Sequence, residues 1–274
     1  MDIDRNAIKQ LYENVETVWP SEDLWHMYSK HTIEHYLLRQ KWSASEYVLN
    51  AGSGGNTYGL DFINMHHRDI AKNKISSFKD YSVGTIEELP FGQNSFDKII
   101  CVGSVINYCD AVSAISEFAR VIKPNGILFL EFESSYGFEH RKQSYYKEPA
   151  TVVKLKYFDE LWTQWVYSPQ YITNSIKEMG FKILHKKYFH IFSGYIYSII
   201  HNENKATKWT WLDSFLDKTA LNKHANNIIL KCKKLQFLLL IKIAIITGII
   251  APTIPPMAEF TFVIGIPIFE RIML

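Results

Sequence analysis

Strands alternating with helices predict an α/β fold built on a mostly parallel sheet covered on both faces, and three observations carry that expectation. Short apolar runs recur at Tyr47-Val48-Leu49, Met65 to Ile70, Lys98 to Val102 and Ile127 to Phe132. Turn signals and helical patterns separate these runs, as crossover connections require. The chain has 274 residues and 47% hydrophobic content, enough to bury one large core.

Taken in order, residues 1–45 read as an N-terminal helical cap. Ile8, Leu11, Tyr12 and Val15 share one helix face, and Ile33, Tyr36 and Leu37 share another after a cap region near Ser21. The clearest helix starts at Asp110 and carries Ile115, Phe118, Ala119 and Ile122 at i, i+3, i+4, i+7 spacing. It stops at Lys123-Pro124-Asn125-Gly126. Further on, Phe181 to Ile200 is rich in aromatic and branched residues, and Asn227 to Cys232 reads as a last strand. These two stretches are expected to close the sheet as a hairpin. Residues 46–234 then form a single domain.

The last forty residues differ in composition. Positions 235–274 hold four charged residues, Lys242, Glu259, Glu270 and Arg271, against 54 in the other 234 positions. Two apolar arms flank Pro252 to Pro256, and at 1.5 Å per residue they reach about 25 Å and about 20 Å, short of a bilayer core of about 30 Å. Lys231, Lys233 and Lys234 precede them. The pattern suits an interfacial or re-entrant hairpin on the cytoplasmic face of a membrane, or an apolar segment packed on the domain or on a second subunit.

Composition also excludes some function classes. Thirty Lys+Arg against 28 Asp+Glu leave a net charge of +2, too little to hold a nucleic-acid backbone by bulk charge. Cys101, Cys109 and Cys232 are too few and too scattered for a disulfide framework or a closed zinc site, which points to a reducing, cytoplasmic compartment. His31-Thr32-Ile33-Glu34-His35 matches H-x-x-E-H, but no partnering carboxylate motif follows, so no metal is expected. His66 and His67 alternate across a strand and cannot easily chelate one ion together.

The chemistry is concentrated in four signals. The first is Val48-Leu49-Asn50-Ala51-Gly52-Ser53-Gly54-Gly55-Asn56, a glycine turn after a strand, where a parallel sheet opens its ligand crevice. Position 57 is threonine, which breaks the dinucleotide pattern G-x-G-x-x-G and disfavours a nicotinamide oxidoreductase. The second is Asp69, which ends the next strand and can accept both hydroxyls of a ribose. The third is Gly84-Thr85-Ile86-Glu87-Glu88-Leu89-Pro90-Phe91 with Asn94-Ser95-Phe96-Asp97, and the fourth is Arg120-Val121-Ile122-Lys123-Pro124-Asn125-Gly126.

In this order the four signals resemble the class I S-adenosylmethionine-dependent methyltransferases of the small-molecule group, which read L-D-x-G-x-G-x-G, G-D-A-E-x-L-P-F, S-F-D and R-V-L-K-P-G-G. The resemblance spans about residues 46–134. It implies a Rossmann-like, seven-stranded sheet with helices on both faces, a helical cap in front and a hydrophobic tail behind. It further implies S-adenosyl-L-methionine as cofactor and S-adenosylhomocysteine as product, with a small or lipid-linked methyl acceptor.

Carried over by position, Ala51, Gly52 and Ser53 would contact the methionine portion and Asp69 would hold the ribose, with Asn50 and Gly54 also among the cofactor-binding residues. Thr85, Ile86 and Glu87 would flank the adenine, with Gly103 and Ser104 beneath the sulfonium. Asn50 and Thr85 stand where the family usually has acids, which motivates a rival reading as a membrane-attached binding or scaffold protein that keeps the fold. Because the sulfonium is already activated, alignment can supply most of the catalysis. His140, Tyr136 and Tyr108 are the candidates for a base. The acceptor atom and the oligomeric state stay open.

Overall fold

The structure, a computed structural model, describes residues 3–157 and 160–236. Two helices come first, α1 (Arg5–Asn14), capped by Asp4, and α2 (Leu24–Leu38), capped by Asp23. Their apolar faces decide their placement: Ile8 and Leu11 of α1 are buried, and so are Ile33 and Leu37 of α2. Ile33 and Leu37 pack with Val48, Tyr58, Met65, Ile100 and Phe129, so α2 covers one face of the sheet.

The sheet strands are β1 (Tyr47–Ala51), β2 (Asn64–Asp69), β3 (Tyr81–Val83), β4 (Phe96–Cys101), β5 (Ile122–Glu133), β8 (Phe181–Phe189) and β9 (Asn227–Lys234). They lie in the order β3-β2-β1-β4-β5-β9-β8. The first five are mutually parallel, while β9 runs antiparallel to both β5 and β8. Order reverses at β1, whose two neighbours are β2 and β4, and this switch opens the crevice above the glycine turn. The short helix α3 (Lys72–Ile75) follows β2. The other face of the sheet is packed by α4 (Ala111–Val121), whose Ala114, Ile115, Phe118 and Val121 are all buried, and by α5 (Pro169–Glu178).

Several elements depart from the sequence expectations. β5 starts at Ile122, directly from the helix, because Ile122 pairs with Phe96 before the register shifts and Ile127 pairs with Lys98. The Lys123–Gly126 turn is carried as a bulge in the strand, with Asn125 left-handed at φ 66°. Phe181 to Ile200 is not all strand. After β8 the chain turns at His190 and forms α6 (Phe192–Ile200), whose Ser193 Oγ is held by the buried Asp213.

β3 is only three residues long and left no legible run. A separate antiparallel pair, β6 (Ala150–Tyr157) and β7 (Glu160–Tyr167), was not foreseen either. The remaining short helices α7 (Glu203–Thr207) and α8 (Asp213–Leu216) lie between α6 and β9. Met1–Leu235 forms one compact unit. Among the described residues no helix is long and apolar enough to cross a membrane. The expectations for the tail, from residue 237 on, lie outside the described residues.

Candidate active site

A cavity of about 310 Å³ lies at the carboxyl ends of β1, β2, β4 and β5, roofed by α1, α2 and the α6–α7 segment. One end begins with the glycine turn. Gly52 and Gly54 are left-handed, at φ 74° and 52°, and a Cβ on Gly52 would collide with the side chain of Val105. The amides of Gly52 and Ser53 both donate to the Arg68 carbonyl, at 2.7 and 3.2 Å, which folds the turn back over β2.

Asp69, 8% exposed, braces the same turn: Oδ2 accepts from the Gly54 amide at 2.8 Å and Oδ1 from the Ala71 amide at 2.8 Å. Burial pushes its carboxyl up, and these amides pull against that shift. Each carboxylate oxygen has a further lone pair for a ligand hydroxyl on the cavity side.

The third wall is the loop after β3. The Arg68 guanidinium shapes it by donating to the carbonyls of Val83, Thr85 and Glu88 at 3.0 to 3.1 Å. Thr85 Oγ1 donates to Glu87 Oε2, and Glu87 Oε1 accepts from the Asp110 amide. The Arg5 guanidinium pairs with Glu87 at 2.8 Å, tying α1 to this loop. Beyond β4, Gly103 and the left-handed Ser104 reach the cavity, and the Ser104 amide donates to Glu131 Oε2 at 2.5 Å. Glu131 Oε1 accepts from Asn227 as well, and burial moves its carboxyl up to about 7.

The cavity therefore brings together Gly52, Ser53, Gly54, Asp69, Thr85, Ile86, Glu87, Gly103, Ser104, Tyr108 and His140. Asn50, Ala51 and Tyr136 are not on its wall. Asn50 turns its amide toward the far end of the glycine turn, donating to the Asn56 carbonyl at 2.7 Å and to Met65 Sδ at 3.4 Å. Ala51 is fully buried in the core beneath the sheet. The Tyr136 ring lies under Lys147, 5.8 Å from its Nζ.

His140 is 2% exposed, burial lowers its imidazole to about 4, and its Nδ1 lies 3.1 Å from Tyr145 Oη. Tyr108 stacks edge-on with Tyr12 of α1 at 6.1 Å. His31 and His35, the H-x-x-E-H pair, are both exposed.

The other end of the cavity was not legible in the sequence. Glu131, Glu133, Glu139, His26, Gln164 and Glu203 converge there from β5, the turn after it, α2, β7 and α7. Only Leu130-Glu131-Phe132-Glu133, two acids at the end of a buried strand, carried a usable signal. His26 Nδ1 pairs with Asp23 Oδ2 at 2.6 Å, and with Glu203 these residues place ligand atoms within 4.8 Å of one another.

Comparison with known proteins agrees with this geometry. Residues 43–130 match a family model described as a methyltransferase domain. An uncharacterised protein of Methanocaldococcus jannaschii is 24% identical over 203 residues, covering 66% of this chain and 79% of the relative. The demethylmenaquinone methyltransferase of Staphylococcus epidermidis is 35% identical over 79 residues, 28% of this chain and about a third (32%) of that enzyme's length.

The solved 1,6-didemethyltoxoflavin-N1-methyltransferase of Burkholderia thailandensis, with bound S-adenosylhomocysteine, shares the fold at TM-score 0.51 and 13% identity. It covers 85% of this chain and 87% of its own. The matched stretch runs from just before β1 into β5 and includes the glycine turn, Asp69 and the loop after β3. Residues 43–130 thus resemble a methyltransferase domain, within a fold that the solved methyltransferase shares.

Proposed function

We propose that this chain methylates a small organic acceptor held at the β5 end of the cavity, with S-adenosylmethionine at the β1 to β3 end. The observation that carries the reading is the joint geometry of Gly52 and Asp69. One is a position where a Cβ has no room, and the other is a buried carboxylate braced against the same turn with lone pairs to spare. A sugar diol fits that acceptor pair, and the turn leaves backbone accessible beside it.

In this reading Gly52, Ser53 and Gly54 hold the methionine portion, Asp69 the ribose, and Thr85, Ile86 and Glu87 the adenine edge. Gly103 and Ser104 lie under the sulfur. When bound, S-adenosylmethionine supplies an activated methyl: the acceptor lone pair bonds to the methyl carbon as the carbon–sulfur bond breaks with its electrons onto sulfur. The chain's own residues orient the acceptor, exclude water beneath the helical cap of residues 1–45, and take up a proton. For the proton, His140 is the leading candidate, because burial keeps its imidazole neutral at pH 7. A lipid-linked acceptor and a membrane-attached role rest on the composition of 235–274 alone.

Titration calorimetry tests the cofactor half. The wild type is expected to bind S-adenosylhomocysteine, and Asp69→Ala to weaken binding by at least about tenfold, since a charged hydrogen-bond pair contributes about 1.5–3 kcal/mol. Gly52→Ala is expected to abolish binding through the Val105 collision and the left-handed backbone. A folded wild type with no affinity for the cofactor or its product would overturn the reading.

A further inference from the structure

The acceptor end of the cavity has a marked charge imbalance. Glu133, Glu139 and Glu203 all face it, together with His26, His140 and Gln164. The Arg and Lys side chains of the wall are engaged elsewhere: Arg5 pairs with Glu87, and Lys74 Nζ is held by the carbonyls of Val15 and Glu16, while His26, raised by its bond to Asp23, offsets part of the charge on Glu133 and Glu203. Burial raises all three glutamates, and for Glu139 the neighbouring Glu133 and Glu203 add to the rise. Carboxylates crowded in this way are stabilised by a proton or by a cationic ligand.

A second observation concerns hydrogen bonding rather than charge. His140, 2% exposed, presents a buried Nε2 with no hydrogen-bond partner. It lies 3.1 Å from Glu139 Oε1, but out of hydrogen-bonding alignment. A buried polar atom on a cavity wall without a partner marks a place where a ligand's polar group completes the set. Tyr145 and Tyr197 also line this end, and aromatic faces favour a cation further.

Resting on the methyltransferase reading, we infer that the acceptor is an organic amine whose nitrogen is held among Glu133, Glu139 and His140. An amine enters as an ammonium, and its N–H groups satisfy acceptors that a carboxylate or phosphate compound would repel. Before methylation the ammonium proton passes to a glutamate carboxylate or to His140 Nε2, freeing the lone pair. The nitrogen of the product then carries the positive charge that the sulfur lost.

The test uses the full chain saturated with S-adenosylhomocysteine and ligand-observed NMR. The probes are fragments in matched sets, each skeleton as its primary amine, alcohol and carboxylate. Amines are expected to bind at least about tenfold tighter than the matched alcohols, the range of a charge-assisted hydrogen bond, with carboxylates weakest. Glu133→Gln and Glu139→Gln, which keep side-chain volume, should each reduce that preference to about threefold or less. Glu203→Gln serves as a third variant should either fail to fold.

Equal or tighter binding of alcohols or carboxylates, or no preference at all, overturns the inference, as does a preference unchanged in the folded variants. Calorimetry of S-adenosylhomocysteine on the wild type is read separately. Loss there sinks the parent reading, whereas retained cofactor binding with no amine preference sinks only this one.

Discussion

His66 and His67 stand side by side in β2 yet meet entirely different surroundings, because alternation sends them to opposite faces of the sheet. His66 is bound on both ring nitrogens, by Asp80 at 2.7 Å and Ser82 at 2.8 Å. His67 stacks flat on Phe78 at 3.6 Å, and burial, reinforced by His66, lowers its imidazole from 6.5 to about 4. Between those values the unfolded chain binds a proton that the folded chain refuses. The neutral His67 therefore favours folding fully above about pH 6.5, and stability is lost as pH falls toward 4. In urea titrations, His67→Phe is expected to lose less stability than the wild type between about pH 7 and 4.5, a window worth on the order of a few kcal/mol. Parallel pH curves for the two proteins would contradict this. At the same scale, Asp69 separates what spacing suggests from what folding adds. Its spacing pointed to a ribose acceptor, whereas its bracing of Gly54 depends on how the turn folds back and has no local pattern.

Within elements, the fourth helix shows how local reading stops short. Its Asp110 cap and apolar spacing through Ile115, Phe118 and Ala119 are realised in α4, whereas Ile122 already opens β5. Glu117 and Arg120, spaced i, i+3 as in an ordinary surface pair, clamp the loop before β4. Arg120 donates to the carbonyls of Leu89 and Phe91 at 2.8 and 2.5 Å, and Glu117 accepts from the Leu89 amide at 2.7 Å. Arg120→Ala leaves these carbonyls without partners, so equilibrium unfolding is expected to show a loss of about 2 kcal/mol, far above that of a surface pair. Arg120→Lys should recover part of it. A loss under about 0.5 kcal/mol would mean that water replaces the clamp. The hairpin β6–β7 escaped the sequence for a related reason. Its ties to the sheet depend on tertiary contacts, such as Tyr167 packed into the main core and Asn107 donating to the carbonyls of Trp165 and Glu133.

Across the whole molecule, the cavity is lined from Arg5 to Asn227, all within the compact unit Met1–Leu235. A chain ending at Leu235 is therefore expected to unfold cooperatively and to bind S-adenosylhomocysteine within about twofold of the full chain, measured by calorimetry. A larger loss would assign part of the binding energy to the segment beyond Leu235. The sequence by itself determined the parallel core of the sheet, the glycine turn and the carboxylate that ends β2, because each depends on short-range constraints. Backbone sign at glycine, strand alternation and capping act within a few residues. Only the tertiary structure decided which side chains line the β5 end of the cavity, because His26, Glu133, Gln164 and Glu203 come from elements far apart in the chain. It also turned Asn50 off the cavity wall and converted the second half of the expected closing hairpin into α6. Such groups become neighbours only when separate apolar faces are buried against one sheet, and their electrostatics arise from that burial.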